Sequence, residues 1–232
     1  AGCTLPGGRA HAAEDSTFAT HCAWTLPAGF RGTLMHARFA MVEQVSTRAQ
    51  NVGQPMTMKF RVYVIAMMAY WAIGFAIQAG GVGPLGTLGG YDKLANEFSI
   101  SIAGHDWGLF GHTGFFLTGV TYSAPVFAYF LFQMVFKDNT ATIPTGALCE
   151  RWKFASFVVF SLFIGGLIYP IYANWVWGGG WLATLGKNVG LGHGHVAFAG
   201  SSCVHMTGGG RARVAAKLLG PRRGKYNADG SA

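Results

Sequence analysis

Residues 168–208 read IYPIYANWVWGGGWLATLGKNVGLGHGHVAFAGSSCVHMTG, and this stretch decides the fold class. A hydrophobic segment ends at Trp175 and Trp177 with three glycines after it, and a second apolar segment rich in small residues carries His205. Glycines beside tryptophans are typical of helices that pack closely and end at a membrane interface. A histidine inside a membrane span is costly, so His205 is a candidate functional residue.

The composition favours a membrane protein. Charged residues make up 11% of the chain and hydrophobic residues 51%, with 35 glycines, whereas an ordinary soluble domain is about 25% charged. Three stretches contain no Asp, Glu, Lys or Arg: 62–91, 107–136 and 154–186. Each exceeds the roughly 20 residues that a membrane helix needs. Three such runs in one chain argue against buried core helices of a soluble protein.

We therefore predict an all-α, polytopic membrane helical bundle with five spans, at about 22–46, 58–79, 114–137, 153–174 and 196–218. The first span contains Arg31 and Arg38, and the last becomes basic at Arg211. Residues 80–112 are rich in turn formers and predict a long external loop. The polar residues Asp138–Thr140 are expected to end the third helix, with Pro144 preventing its continuation.

The basic residues predict the orientation. Twelve of the 17 Lys and Arg residues flank the first and third loops or lie at the end of the fifth span: Arg48, Lys59, Arg61, Lys137, Arg151, Lys153, Arg211, Arg213, Lys217, Arg222, Arg223 and Lys225. The opposite side has Arg9, Lys93 and Lys187. The positive-inside rule then places the N-terminus outside. Because this bias accounts for the net charge of +8, and no basic-aromatic patch marks a soluble domain, we do not expect nucleic-acid binding.

The cysteines and histidines predict no metal centre. Cys3, Cys22, Cys149 and Cys203 lack metal-ligand spacing, and only Cys3 and Cys22 are placed where they could pair outside the cell. A metalloenzyme would have to use histidines from separate segments: His105, His112, His193, His195 and His205. They match no recognised ligand spacing, and no nucleophile–base or paired-carboxylate arrangement appears. We therefore predict no cofactor, no metal and no enzymatic activity.

At this point the sequence resembles the N-terminal half of an ammonium transporter of the Amt/Mep/Rh family. The matching segments are AWTLPAGF (23–30), ARFAMVEQVSTRAQNV (37–52), AYWAIGFAIQAGG (69–81), GHTGFFLTG (111–119), LFQMVFKDNTATIPTGALCERWKF (131–154), IYPIYANWVWGGGWL (168–182), GHGHVAFAGSSCVHMTGG (192–209) and LGPRRGKYN (219–227). They occur in the family's order, and 131–209 is the most specific part.

The resemblance implies a fold of eleven helices, built as two inverted five-helix halves with an extra helix and assembled as a homotrimer in the cell membrane. This chain would supply an external N-terminal segment (1–21), the N-terminal half of the transporter domain (22–218) and the start of the linker between the halves (219–232). The expectation is therefore an incomplete chain, whose second half would complete the pore.

The resemblance also assigns the site residues and the ligand, ammonium or ammonia. Trp177 matches the aromatic residue that recruits ammonium by cation–π attraction. Phe136 and Phe132 match the gate and vestibule phenylalanines, and they are expected on one helix face because they are four residues apart. His205 matches a pore histidine, whose neutral imidazole suits a proton relay.

Several residues depart from the family pattern. Ala197 stands where the family has an Asp that organises the recruitment site, and Arg31, His36, Arg38, Arg211 and Arg213 stand where it is apolar or small. The missing carboxylate predicts weaker recruitment of ammonium.

A second hypothesis for the function is an ammonium sensor that keeps the fold and signals through a partner. The resemblance is also compatible with a regulatory protein that binds on the cytoplasmic side.

Overall fold

The computed structural model describes residues 7–45, 47–80, 94–222 and 231, and among them the side chains of 7–18 and 50 are not described. Cys3, residues 81–93 of the predicted external loop and most of the predicted linker 219–232 lie outside the described residues. The helices are α1 (Gly7–Val45), α2 (Gly53–Ala79), α3 (Ala124–Ala147), α4 (Phe154–Trp177), the short α5 (Leu185–Val189) and α6 (201–219).

Two of the described helices are long and apolar enough to cross a membrane. They are α2, with 27 residues, and α4, with 24. At about 1.5 Å per residue, both exceed the roughly 30 Å of a bilayer's hydrocarbon core. Each of the five predicted spans overlaps one of the helices α1, α2, α3, α4 and α6, and α1 begins at Gly7, well before the predicted start of the first span.

The boundaries predicted for the third span are wrong. Residues 115–121 form two short 3₁₀ turns, in which Phe116 and Leu117 have positive φ, and α3 begins only at Ala124, with Pro125 in its first turn. Proline is favoured at that position because the first amide groups of a helix have no intrahelical partner. At its other end α3 continues through Asp138 to Ala147 and includes Pro144. The predicted cap at Asp138–Thr140 is therefore the middle of a buried helix.

Small residues bring the helices close together. A Cβ added to Gly74 of α2 would lie 2.4 Å from the carbonyl oxygen of Gly165 in α4, and one added to Gly165 would lie 2.4 Å from that of Ala66. Both helices contain a π-helical turn here, at Tyr70–Gly74 and Ile164–Ile168. Glycine removes the side chains that would hold two backbones apart, so α2 and α4 pack at short distance.

A β-hairpin interrupts the predicted all-α architecture. Strand β1 (Glu97–Ile102) pairs antiparallel with β2 (His105–Gly111), and Ala103 and Gly104 between them both have positive φ. Two consecutive residues with positive φ form a type I′ turn, whose twist matches that of the flanking strands. The strands lie against α4, because the Trp175 indole donates a 2.8 Å hydrogen bond to the Leu109 carbonyl and the Trp181 amide donates a 2.9 Å bond to Gly108.

At the other end of the bundle one carboxylate joins three chain segments. Glu150, which has φ of +66°, accepts a 2.6 Å hydrogen bond from Asn51 and lies 3.6 Å from Arg222 and 3.9 Å from Arg48. The Asn51 hydrogen bond, followed by the two arginines, lowers the pKa of Glu150. Arg151 instead donates to the carbonyls of Ala147 and Gly220. Residues 47–52, the 148–153 loop and residues 220–222 after α6 are thereby held together.

Candidate functional site

The structure brings three of the four predicted site residues into one aromatic stack. Phe132 and Phe136 lie one turn apart on α3, with ring centroids 4.9 Å apart at an interplanar angle of 68°. Phe136 in turn meets Trp177 of α4 edge to face, at 5.2 Å and 74°. Offset and edge-to-face geometry is the favourable arrangement for aromatic pairs. The predicted shared face of Phe132 and Phe136 is therefore confirmed, and Trp177 joins it from a second helix.

Hydrogen bonding fixes the orientation of the Trp177 indole. Its Nε1 donates a 2.6 Å bond to the carbonyl oxygen of Ala197, which is buried at the start of the last predicted span. A Cβ added to Gly200 would lie 3.4 Å from the far edge of the indole, and Gly200 has φ of +83°. Glycine is favoured here because the turn into α6 needs a left-handed conformation beside a large ring.

His205 follows Gly200 by five residues. It belongs to the π-helical turn Ser201–Met206, its side chain is exposed, and its Nδ1 is 3.4 Å from the Gly200 carbonyl oxygen. His205 is thus close to the Gly200 carbonyl, and the imidazole is not part of the aromatic stack. An exposed histidine within an apolar segment has a free face for a further partner.

The four histidines at 105, 112, 193 and 195 are not gathered into one site. His195 shares a 2.8 Å hydrogen bond with Ser202 Oγ, whereas His105, His112 and His193 are exposed. Among the described residues, no group of three or more His, Cys, Asp or Glu side chains is arranged to hold a metal ion.

A buried ion pair lies beside the aromatic stack and was not expected from the sequence. Lys137 and Asp138 of α3 pair with each other and are almost fully buried, and the Lys137 ammonium lies 5.8 Å from the ring centroid of Tyr70. Lys137 was expected to flank a loop, which is wrong: its partner lets it remain inside the helix bundle. Paired charges are the form in which buried charges are tolerated.

A chain of hydrogen bonds continues from Tyr70. The Tyr70 hydroxyl donates to Gln78 Oε1 at 2.7 Å, and Gln78 Nε2 donates to Gln133 Oε1 at 2.8 Å. All three side chains are buried. Since buried polar groups require partners, this network fixes the relative rotation of α2 and α3 on the side next to the aromatic stack.

A second buried cluster joins α1, α2 and α3. Lys59 lies 2.8 Å from Glu43, and the backbone carbonyl of Lys59 contacts His36 Nε2 at 2.7 Å. Thr142 bonds His36 Nδ1 at 3.0 Å, and Thr145 donates to Glu43 at 3.0 Å. Lys59 was assigned to a loop flank, and this is also wrong because Glu43 neutralises it inside the bundle. Three polar residues of the first predicted span differ from the family pattern. Of these, His36 is buried, whereas Arg31 and Arg38 are exposed.

The hairpin contributes a further acidic residue. Glu97 accepts a 3.3 Å hydrogen bond from Asn174 Nδ2, which also donates to the Gln78 carbonyl at 3.1 Å. Burial raises the pKa of Glu97 to about 7, and the hydrogen bond from Asn174 opposes this rise. Sequence reasoning missed the contact, since Glu97 is 77 residues from Asn174 and was placed in a solvated loop.

Comparison with known proteins identifies the family. The profile of the Ammonium Transporter Family matches residues 23–232. Ammonium transporter Amt2 of Archaeoglobus fulgidus is 37% identical over 229 residues, which cover 97% of this chain and 44% of that protein. Ammonium transporter Amt1 of Haloferax mediterranei is 34% identical and is matched over 36% of its length. The chain therefore belongs to the ammonium transporter family, and it spans less than half the length of these relatives.

A solved structure has the same fold. A protein described as a sensor Amt protein superposes with a TM-score of 0.74 at 29% sequence identity, and the match covers 94% of this chain and 49% of the other. The family inferred from the sequence motifs is thus confirmed, and the structural match agrees with a mostly helical fold of the Amt type.

Proposed function

We propose that this chain is part of a membrane protein that carries ammonium or ammonia through a hydrophobic pore. The contact between Phe136 and Trp177 is the observation that carries this proposal, because it joins two positions that the family motifs assign to ammonium recruitment and gating. Family membership supports the substrate, and the long apolar helices α2 and α4 support a multi-pass location in the cell membrane.

The chemistry of the stack suits a small cation. An ammonium ion is attracted to the face of Trp177, and a cation–π contact contributes about 0.5–2 kcal/mol, more when water is excluded. Carrying the charged ion further into an apolar path is costly, whereas neutral ammonia is not. In our proposal Phe136 and Phe132 close the entrance to that path. His205, as a neutral imidazole, accepts or passes on the proton.

The remaining parts of the pore belong to sequence outside this chain. In our proposal residues 22–218 form five spans of an eleven-helix inverted-repeat fold, with 1–21 outside the cell and 219–232 leading into the second half. The exposure of His205 supports this view, since a pore histidine needs an opposing wall. The complete protein would be a homotrimer in which each subunit has its own pore, with the cytoplasmic side available to a regulatory protein.

A second candidate function is ammonium sensing. The observation in its favour is the structural match to a sensor Amt protein over 94% of this chain. Ala197 is compatible with this alternative, because a neutral side chain beside Trp177 leaves the recruitment site without the family's carboxylate. A sensor would bind ammonium through the same aromatic residues but would pass its signal to a partner instead of moving the ligand.

The test is growth of an ammonium-uptake-deficient strain on limiting ammonium, with expression verified. The full-length protein should restore growth, Trp177→Leu should reduce it strongly, and Trp24→Leu should not, because Trp24 is 76% exposed. The 232-residue chain alone should not restore growth, since an inverted-repeat pore needs both halves. Full growth with Trp177→Leu would contradict the recruitment role.

A further inference from the structure

Two buried oxygen atoms at the junction of the hairpin with α4 have no hydrogen-bond donor among the described residues. They are Oε1 of Glu97 and Oδ1 of Asn174. The other oxygen of Glu97 accepts from Asn174 Nδ2 at 3.3 Å, so the carboxylate and the amide are in direct contact. Buried acceptors that lack a donor are costly, and each one calls for a water, an ion or another ligand.

The orientation of the Asn174 amide follows from its surroundings. Its nitrogen donates to two acceptors, the Gln78 carbonyl at 3.1 Å and Glu97 Oε2. Exchanging the amide nitrogen and oxygen would place an acceptor against both of them. The Asn174 side chain is fully buried, so its unpartnered Oδ1 is a fixed acceptor inside the protein.

Glycines border both oxygens. A Cβ added to Gly108 of β2 would lie 2.4 Å from Glu97 Oε1, and one added to Gly180 would lie 2.7 Å from Asn174 Oδ1. The two glycine segments are themselves connected, because the Trp181 amide donates to the Gly108 carbonyl at 2.9 Å. A side chain at either position would clash with the neighbouring oxygen, so the two acceptors keep their positions because glycines stand beside them.

The hairpin is held firmly enough to support a site. The Trp175 indole bonds the Leu109 carbonyl at 2.8 Å, and Asn188 Nδ2 bonds the Asp106 carbonyl at 3.0 Å. Together with the Trp181 amide, these contacts attach β2 to three points between 175 and 188. The geometry of Glu97 relative to α4 is therefore set before any ligand binds.

We propose that Glu97 and Asn174 form a binding site for a small monovalent cation, ammonium or an alkali ion, where the hairpin meets α4. The site offers oxygen acceptors and one negative charge, which matches a single positive charge. A divalent ion normally takes six or more oxygen ligands, often with several carboxylates. The proposed ligands are oxygen atoms and not an aromatic ring, so the chemistry differs from that proposed for Trp177, and binding here does not depend on the transport proposal.

The test uses the purified full-length protein at pH 8 and compares ammonium, sodium and potassium chloride with choline chloride at equal ionic strength. Isothermal titration calorimetry measures binding, and the fluorescence of Trp175 and Trp181 reports on the junction. The variants are Glu97→Gln, which keeps the size but removes the charge, and Gly108→Ala, which keeps the carboxylate but displaces it, because the new Cβ would lie 2.4 Å from Glu97 Oε1. Asp106→Asn, an exposed carboxylate on the same hairpin, is the matched control.

We expect at least one of the three cations to bind, with a dissociation constant raised tenfold or more by Glu97→Gln and by Gly108→Ala, and unchanged by Asp106→Asn. Binding at this site should persist in Trp177→Leu, which separates it from the aromatic stack. The response to the three cations distinguishes ammonium from alkali ions. Equal affinity in wild type and Glu97→Gln, loss of all binding in Trp177→Leu, or no difference between the three cations and choline would overturn the proposal.

Discussion

Phe136 and Trp177 meet edge to face across α3 and α4, with ring centroids 5.2 Å apart. They are 41 residues apart in the chain, and each is oriented by a different neighbour: Phe132 stacks on Phe136, and the Ala197 carbonyl accepts the indole hydrogen of Trp177. The stack is therefore built from three segments of the chain. A change in any of them should alter the position of the indole.

The Trp177–Ala197 contact gives the first prediction. In the full-length protein, Ala197→Asp should improve uptake at limiting ammonium, because it places a carboxylate next to the Trp177 indole, for which we propose ammonium recruitment. A partly solvated ion pair contributes at most about 1 kcal/mol, which corresponds to about a fivefold lower half-saturation constant. Methylammonium uptake measures this change, and Ala197→Asn controls for size. Equal half-saturation constants for the Asp and Ala forms would contradict a role of residue 197 in ammonium recruitment.

The Lys137–Asp138 pair gives a prediction about stability. Asp138→Leu or Lys137→Met alone leaves a buried charge without its partner and should lower the free energy of unfolding by about 3–5 kcal/mol. The double variant Lys137→Met/Asp138→Leu removes both charges and should be more stable than either single variant. Thermal unfolding of the full-length protein in detergent compares the four forms. If the double variant loses as much stability as the two single variants together, the two residues act independently.

Glu97 gives a prediction about pH dependence. Its pKa of about 7 in the folded protein lies above its ordinary value of 4.5, so the folded state retains a proton that the unfolded chain has lost. Stability from this group is therefore complete below about pH 4.5, decreases as the pH rises to 7, and stays lower above that. In choline chloride, Glu97→Gln should raise the melting temperature at pH 8 relative to wild type and leave it unchanged at pH 4.5. If the melting temperatures of Glu97→Gln and wild type differ by the same amount at pH 4.5 and pH 8, the effect does not come from ionisation of Glu97.

Orientation can be tested by cysteine labelling. With the native cysteines replaced by serine, Gln50→Cys, between α1 and α2, should react only with reagent on the cytoplasmic side. Ser99→Cys on the exposed face of the hairpin should react from outside. The expectation follows from the excess of Lys and Arg in alternate loops. Reaction of Gln50→Cys only from outside would reverse the orientation.

Local patterns in the sequence were enough to place the aromatic residues. The four-residue spacing of Phe132 and Phe136 identifies a shared helix face, and the VWGGG motif identifies the end of α4 at Trp177. Both depend on residues close in sequence, and the structure agrees with them.

Charges inside the bundle could not be placed in this way. Lys59 and Lys137 were placed beside loops because charged residues usually mark the end of an apolar helix, and the sequence does not show that each lysine is buried with a partner. Asp138 is adjacent to Lys137 and Glu43 is on another helix, and both neutralise a buried lysine. The hairpin was missed for a similar reason: its contacts with Trp175 and Asn174 are made more than sixty residues away.

The most direct test of the account is ammonium flux into proteoliposomes that contain the purified full-length protein and a pH-sensitive dye. The account predicts an ammonium-dependent change of internal pH that exceeds the change in empty liposomes, is reduced at least tenfold by Trp177→Leu and is unchanged by Trp24→Leu. A protein that binds ammonium but produces no flux above that of empty liposomes would contradict transport and favour the sensor.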